Sequence, residues 1–409
     1  MSRPVHPESK RNRIKTSTQK SDVVIVGGGV IGSAIAYFLA ADNDFRGSIL
    51  VVERDPAYIR CSTTLSVGGI RQQFSTPENI EISRFGAQFF KRVREYLAVG
   101  DKVPELSFRE AGYLLLASPQ GLSTLTDNYE LQKAHHVDLD LLSPDGLKHR
   151  FPWMNVADLG GGTLGLKNEG WVDPYSLLMG FKDKAQSIGA SYIKDEVIGL
   201  ARKAGKVDVV RLSERGKIAC GTLVNAAGPG AARIAAFAGI PALPVHPRKR
   251  CVFTFECRAE LPGCPLMVDP SGVYFRPESG KFLCGVSPPA NHDPDCHDLR
   301  VDPRLFEEAI WPVLANRVPA FQALERGFSW AGHYAYNVID KNAILGPHPE
   351  VENFYFANGF SGHGLQQAPA VGRAISELIA SGSYQTLDLS RFSFARFAAK
   401  TLIHERNIV

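Results

Sequence analysis

No C-x-x-C pair occurs among the seven cysteines of this 409-residue chain, which fall at 61, 220, 251, 257, 264, 284 and 296. An odd, scattered set excludes a disulfide framework and fits a reducing compartment. Long apolar runs are missing too. The most apolar stretch, 226–245, is interrupted by Pro229, Arg233, Pro241 and Pro244, short of the roughly 18 unbroken residues that a membrane-crossing helix needs. Charge of one sign is also scarce. Removing the six basic and one acidic residue of 1–20 from totals of 46 and 42 leaves 40 basic against 41 acidic residues, a balance that argues against a nucleic-acid partner. Internal repeats and low-complexity linkers are absent. Metal-ligand residue types gather only in Asn291-His-Asp-Pro-Asp-Cys-His-Asp, where His292, Cys296 and His297 have no paired ligands elsewhere. That stretch reads as a polar surface loop, and no metal is expected.

The excess positive charge sits in the first 20 residues, with Arg3, Lys10, Arg11, Arg13, Lys15 and Lys20 against Glu8. Val5 and Ile14 are too few for the amphipathic helix of an organellar targeting signal, so 1–20 is expected to be a flexible basic leader, a mitochondrial targeting segment being the alternative. Location follows the source: cytoplasm for a bacterial chain, mitochondrial matrix for a eukaryotic one.

What is present is a strand, a glycine turn and a helix. Val23 to Val26 are four apolar residues bounded on both sides, the pattern of a buried parallel strand. Gly27, Gly29 and Gly32 follow in G-x-G-x-x-G spacing around Val30 and Ile31, and an Ala-rich helix runs from about Ile31 to Ala41. One glycine makes the turn, one lets a pyrophosphate approach the main chain, and one lets helix and strand pack closely. A second apolar strand, Ile49 to Val52, ends in Glu53, 21 residues after Gly32. A carboxylate there accepts from both ribose hydroxyls and repels a 2′-phosphate, which suits the adenosine of FAD or NAD.

Further along, Tyr58 to Ser75 is a small-residue loop carrying Arg71. Helices are expected over Pro77 to Tyr96, Thr124 to His135, a short one at Pro144, and Pro174 to Ile188 capped by Asp173. Glu196 to Leu200, Val207 to Leu212 and Leu223 to Ala227 read as a meander returning to the parallel sheet. From Val245 to about Trp330, short aromatic and β-branched runs indicate an antiparallel sheet with a helix near Leu305 to Leu314. Arg248, Lys249 and Arg250 are read there as a solvated strand edge or a partner surface. The strand from Asn353 then leads through Asn358-Gly-Phe-Ser-Gly-His-Gly into a helix at about Gln366 to Ala380.

Asp22 to Gly32 with Glu53, Leu223 to Gly228, and Gly359-Phe-Ser-Gly-His-Gly-Leu-Gln-Gln together resemble the D-amino-acid oxidase superfamily of FAD enzymes, which includes sarcosine, dimethylglycine and glycine oxidoreductases. Leu65 to Ser75, Gly112 to Ser118, Phe151-Pro-Trp, Pro247 to Arg250 and Gly359 to Pro369 resemble a branch of it linked to assembly of respiratory complex I. The resemblance implies an α/β fold in which a Rossmann-like FAD-binding domain with a parallel sheet (21–80, 160–245 and 333–395) is interleaved with an antiparallel-sheet substrate domain (81–159 and 246–332). A tail, 396–409, follows. It implies FAD held by Gly27, Gly29, Val30, Ile31, Gly32, Glu53 and Arg54, with Ser62 and Thr63 near the pyrophosphate or flavin. Val197 would meet the adenine, Ala227 and Gly228 would line the channel, and Gly362, His363, Gly364, Leu365 and Gln366 would lie under the flavin.

Departures from the family pattern refine what is implied. Gly332 stands where a flavin-tethering cysteine would be, and no histidine lies between His6 and His135, so non-covalent FAD is expected. Arg71 matches the family's carboxylate-binding arginine, while Gln366 replaces its lysine partner and Leu283 falls near the oxygen-activating lysine. Tyr334 and Tyr336 remain as substrate-facing hydroxyls. The implied activity is hydride transfer to flavin from a small amine, or an N-methylated or D-amino acid, by a dehydrogenase rather than an oxidase, with an acceptor protein or quinone taking the electrons. An FAD-binding assembly factor contacting complex I subunits is the alternative.

Overall fold

A computed structural model describes residues 19–406; most of the expected leader, 1–18, and residues 407–409 lie outside the described residues. The first strand, β1, spans Gln19–Val26. Gln19 and Lys20, expected in the leader, are drawn into it because the neighbouring strand Gly216–Asn225 is long enough to pair them with Ile218 and Ala219. Val23 and Ile25 pack into one core and Val24 and Val26 into another. Burial on both faces is why this strand is apolar throughout.

β1 lies between Gly216–Asn225 and β2 (Ile49–Glu53), parallel to both. The same eight-stranded sheet continues on one side to Phe354–Asn358 and Ile344–Pro347 and on the other to Ser191–Lys194. Val197–Lys203 and Lys206–Leu212 pair antiparallel and hand the chain back to Gly216–Asn225, the expected meander. Helix α1 (Val30–Ala41), together with helices Pro174–Ser187 and Gly364–Ser381, covers one face of the sheet. Asp173 caps the helix that follows it, its carboxylate accepting the Ser176 N–H at 2.6 Å.

The second sheet also has eight strands, running from Glu325–Asn337 through Val245–Glu256, Lys281–Val286, Val273–Glu278, Leu266–Val268, Tyr113–Ala117 and Gly161–Gly165 to Leu139–Leu142. Its pairings are antiparallel except where Leu266–Val268 runs parallel to Tyr113–Ala117. The two sheets divide the chain differently from expectation in four places. Gly161–Gly165 belongs to the second sheet, as does all of Glu325–Asn337, so the boundaries expected at 160 and 333 both move. Helix Pro77–Lys91, split at residue 81 in the expectation, buries Ile82, Phe89 and Phe90 with Val23 and Ile25 and packs on Gly364–Ser381. The expected tail is docked: Arg396 pairs with buried Asp340 at 2.7 Å, and buried Glu405 accepts from the Ser75 N–H at 2.8 Å. The helix expected over 305–314 arrives as a π-type turn, Phe306–Ile310, running into Trp311–Arg317.

Candidate active site and cofactor cleft

At the carboxyl ends of β1, β2 and Gly216–Asn225 the chain leaves no room for side chains. Gly27 has φ +99°, and a Cβ there would stand 2.4 Å from the Ala226 carbonyl oxygen; one on Gly32 would stand 1.9 Å from that of Gly27. These contacts press the start of α1 against three strand ends, the crevice where open α/β sheets bind ligands. Glu53 is fixed there by two main-chain donors, accepting Gly28 N–H and Asp55 N–H, each at 2.7 Å. Each carboxylate oxygen keeps a further lone pair for a hydroxyl. Thr63 Oγ1 accepts Val30 N–H at 3.2 Å, placing the Ser62-Thr63 turn over the helix start. Val30 and Ile31 bury their side chains in the core, so only their main chain can serve a ligand.

Two clefts are candidates for holding a ligand. One, with about 430 Å3 of unfilled space, is lined by Gly27, Glu53, Arg54, Val197, Ala227 and Arg233 among others. Gly228, expected to line the channel, is not part of that lining; it turns with φ +52° and Gly230 is presented instead. The turn built by Asp195, whose carboxylate accepts Glu196, Glu214 and Arg215 N–H groups, went unread in the sequence and completes the wall.

The other cleft has about 540 Å3 of unfilled space. Of the residues singled out in the sequence, Arg71, Tyr334, Gly362, His363, Leu365 and Gln366 line it. Tyr336 and Gly364 do not. Tyr336 lies two residues beyond Tyr334 on the same strand face, bridged to Phe360 and under the Arg250 guanidinium at 5.8 Å, and Gly364 packs on the Phe360 ring. The cleft-facing side of the second sheet adds Tyr113, Leu266 and Tyr274, which the sequence reading did not single out.

Arg71 is buried and held on several sides. Its N–H donates to Gln366 Oε1 at 2.7 Å, Nη1 to the Gln73 carbonyl at 2.5 Å and Nη2 to His363 Nε2 at 3.2 Å, and its guanidinium lies 4.1 Å over the Phe74 ring. Gln366 thus orients the arginine's main chain. Burial, helped by the Arg71 charge, holds His363 well below the usual imidazole range, so it is neutral with its proton on Nδ1. Burial raises the phenol of Tyr113 to about 12 and those of Tyr274 and Tyr334 above their usual range. One layer behind lies Glu169, fully buried, its carboxyl pushed up to about 7 by burial against the pull of its donors and of Arg71.

The basic strand and the acidic loop explain one another. Arg250 pairs with Asp293 at 2.7 Å, Arg248 with Asp295 at 3.2 Å and Lys249 with Asp298 at 3.2 Å. Among the described residues no group of three or more His, Cys, Asp or Glu is arranged to hold a metal, and no helix is long and apolar enough to cross a membrane.

Residues 22–378 match the family described as "DAO: FAD dependent oxidoreductase". The chain belongs to this family. It is 44% identical over 427 residues to "FAD-dependent oxidoreductase domain-containing protein 1" of Xenopus laevis, covering 96% of this chain and 85% of that one. To "4-methylaminobutanoate oxidase (formaldehyde-forming)" of Paenarthrobacter nicotinovorans it is 23% identical, over 90% of this chain and 45% of the other. Among solved structures, L-proline dehydrogenase from P. horikoshii superposes with a TM-score of 0.82 at 27% identity, covering 95% of this chain and 100% of that one.

The residues present fit the FAD of this family. Cβ atoms on Gly28 and Gly29 would reach 3.1 Å from Tyr58 OH and 3.3 Å from Cys61 Sγ, so the glycines keep clear the space in front of the α1 amides. Ser62 Oγ is buried there without a hydrogen-bond partner, a polar group that a bound diphosphate satisfies. Gly332 offers no thiol for a covalent link, and a Cβ there would press on Leu65 Cβ at 3.0 Å.

Proposed function

We propose that the chain oxidises a small amine, or an N-methylated or D-amino acid of sarcosine, dimethylglycine or glycine size, and passes the electrons to an acceptor protein or quinone. The observation that carries this reading is Arg71, a buried guanidinium on the wall of a cleft whose other lining side chains are uncharged. A fork of N–H donors in such a place binds a carboxylate bidentately and orients the rest of the molecule. Bound FAD supplies the hydride acceptor.

The chain's own residues govern protons and charge. Tyr113, Tyr274 and Tyr334 keep their protons at pH 7, and His363, whose proton affinity burial and the Arg71 charge hold well below that of an ordinary imidazole, is a poor proton acceptor, so none of them is suited to act as a base. The substrate amine must therefore reach its free-base form by releasing a proton to solvent. Val67, Leu266 and Leu365 make the walls partly apolar, which favours a neutral over a charged amine. The main-chain donors where helix Gly364–Ser381 starts favour negative charge beside them. Leu283, near which the family resemblance puts an oxygen-activating lysine, is buried with Tyr274 and Val252 and offers no charge, which favours a dehydrogenase.

The test is an anaerobic panel of sarcosine, dimethylglycine, glycine, proline and D-amino acids, following the flavin band at about 450 nm. Bleaching by at least one, lost in Arg71→Ala, is expected; an inert flavin throughout contradicts the reading. A second reading, an FAD-binding assembly factor for respiratory complex I with little or no catalysis, is supported by 44% identity to a protein whose name specifies no substrate. Its signature is that inert flavin together with copurifying complex I subunits.

A further inference from the structure

Glu169 takes no part in the chemistry above, yet the chain makes a chamber for it. A Cβ on Gly165 would stand 1.7 Å from Glu169 Oε2, so only glycine admits the carboxylate. Oε1 accepts the Gln72 N–H at 2.5 Å and Oε2 accepts Gln73 Nε2–H at 2.7 Å. Both donors follow Arg71 directly in the chain, and Arg71 Nη1 in turn donates to the Gln73 carbonyl. Gln73 is locked from the far side by the Tyr113 carbonyl at 2.8 Å and the Thr163 hydroxyl at 2.6 Å. Arg71 is thus coupled to a sealed carboxyl group by a rigid bridge of one residue. The titratable groups of the cleft beside the pair, Tyr113, Tyr274 and Tyr334 on the second sheet and His363 at the helix start, are neutral at pH 7, which leaves Arg71 as the charge that opposes protonation of Glu169.

We propose that Glu169 takes up a proton when an anionic substrate binds, serving as a positioning residue that hands the Arg71 charge over to the incoming carboxylate. The proposal rests on the reading of Arg71 as a carboxylate clamp. In a low-dielectric site one guanidinium cannot compensate two carboxylates at once. As the substrate anion arrives, a proton moves from solvent to Glu169, no other bond changes, and the local charge is conserved. Because burial already brings Glu169 close to neutrality at pH 7, a second anion is enough to tip it.

The test uses the FAD-loaded protein and acetate, an inert monocarboxylate, with acetamide as the neutral control. Acetate affinity is read from the flavin spectrum as pH is varied, and proton uptake from an indicator dye in weak buffer. At about pH 8 to 9 the wild type should take up close to one proton per acetate and lose affinity by about ten-fold per pH unit. In Glu169→Gln the uptake should vanish and the affinity become independent of pH over this range, a change that a merely structural role would not produce. Acetate binding without proton uptake in the wild type overturns the proposal while leaving the clamp intact, whether or not the variant folds. An unchanged pH slope in a folded Glu169→Gln overturns it equally. No acetate binding at any pH overturns the clamp itself, and this proposal with it.

Discussion

Replacing Gly32 by alanine tests the cofactor cradle at a contact without slack. The new methyl would stand 1.9 Å from the Gly27 carbonyl oxygen and 3.2 Å from Ile25 Cγ2. The oxygen is main chain and cannot rotate aside, so the turn and α1 must separate by about 1.1 Å merely to reach 3.0 Å. Gly27 has nowhere to retreat, because the Ala226 carbonyl confines its other side. Overpacking of this kind costs about 1–3 kcal/mol of stability, although alanine by itself favours the helix by about 1 kcal/mol. The larger effect is on binding, since the first-turn amides shift against Glu53 and Thr63. A misplacement of about 1 Å in a preorganised site costs on the order of 100-fold. Titration of apoprotein with FAD, read by quenching of flavin fluorescence, should show a Kd raised by about that factor in a variant whose circular dichroism is native. Wild-type affinity in Gly32→Ala would refute the placement of the diphosphate at α1.

Arg71→Met removes the donor to the Gln73 carbonyl and the contact with Phe74; urea denaturation should show a loss of about 2–4 kcal/mol, and acetate affinity should fall by about 10- to 100-fold. His363 is held neutral in the fold, so the unfolded chain binds a proton that the native one refuses: its contribution is intact above the unfolded value of 6.5 and lost as pH falls below it, by at most about 1.4 kcal/mol per pH unit. Denaturation series around pH 5.5 and pH 7.5 should therefore show a shallower dependence in His363→Gln than in the wild type. Asp293→Ala strands the buried Arg250 guanidinium, whose pair is 8% and 9% exposed, and should cost about 3–5 kcal/mol, most of it recovered in the double variant with Arg250→Met.

Local chemistry made β1, α1, β2 and Glu53 legible, because a glycine turn between a doubly buried strand and a helix carries its reasons within a few residues. The Asp173 cap and the returning meander were readable on the same ground. Tyr113 and Tyr274 were not, since their strands bury both faces and alternation alone does not say which face meets the cleft. Tyr334 and Tyr336 share one strand face, and alternation does not reveal that Tyr336 is bridged to Phe360 and set beneath Arg250, outside the cleft lining. Glu169 carried no local signal, because its chamber depends on Gly165 and on donors 97 and 96 residues away. The docked C-terminal segment is similar, with Glu405 held by Ser75 across 330 residues. The boundary expected at 81 moved because the packing of helix Pro77–Lys91 on Val23, Ile25 and helix Gly364–Ser381, not any break in its own sequence, decides which sheet it belongs with.

The central claim is that the α1 amides, Glu53 and Arg71 belong to a single continuous site. A crystal structure of the FAD-loaded protein with acetate tests it directly. The adenosine ribose should lie at Glu53, the diphosphate at the start of α1, and acetate on Arg71 between the flavin and the ring of Tyr334. A flavin ring outside the cleft that Arg71 and Tyr334 line, or acetate bound elsewhere, would contradict it.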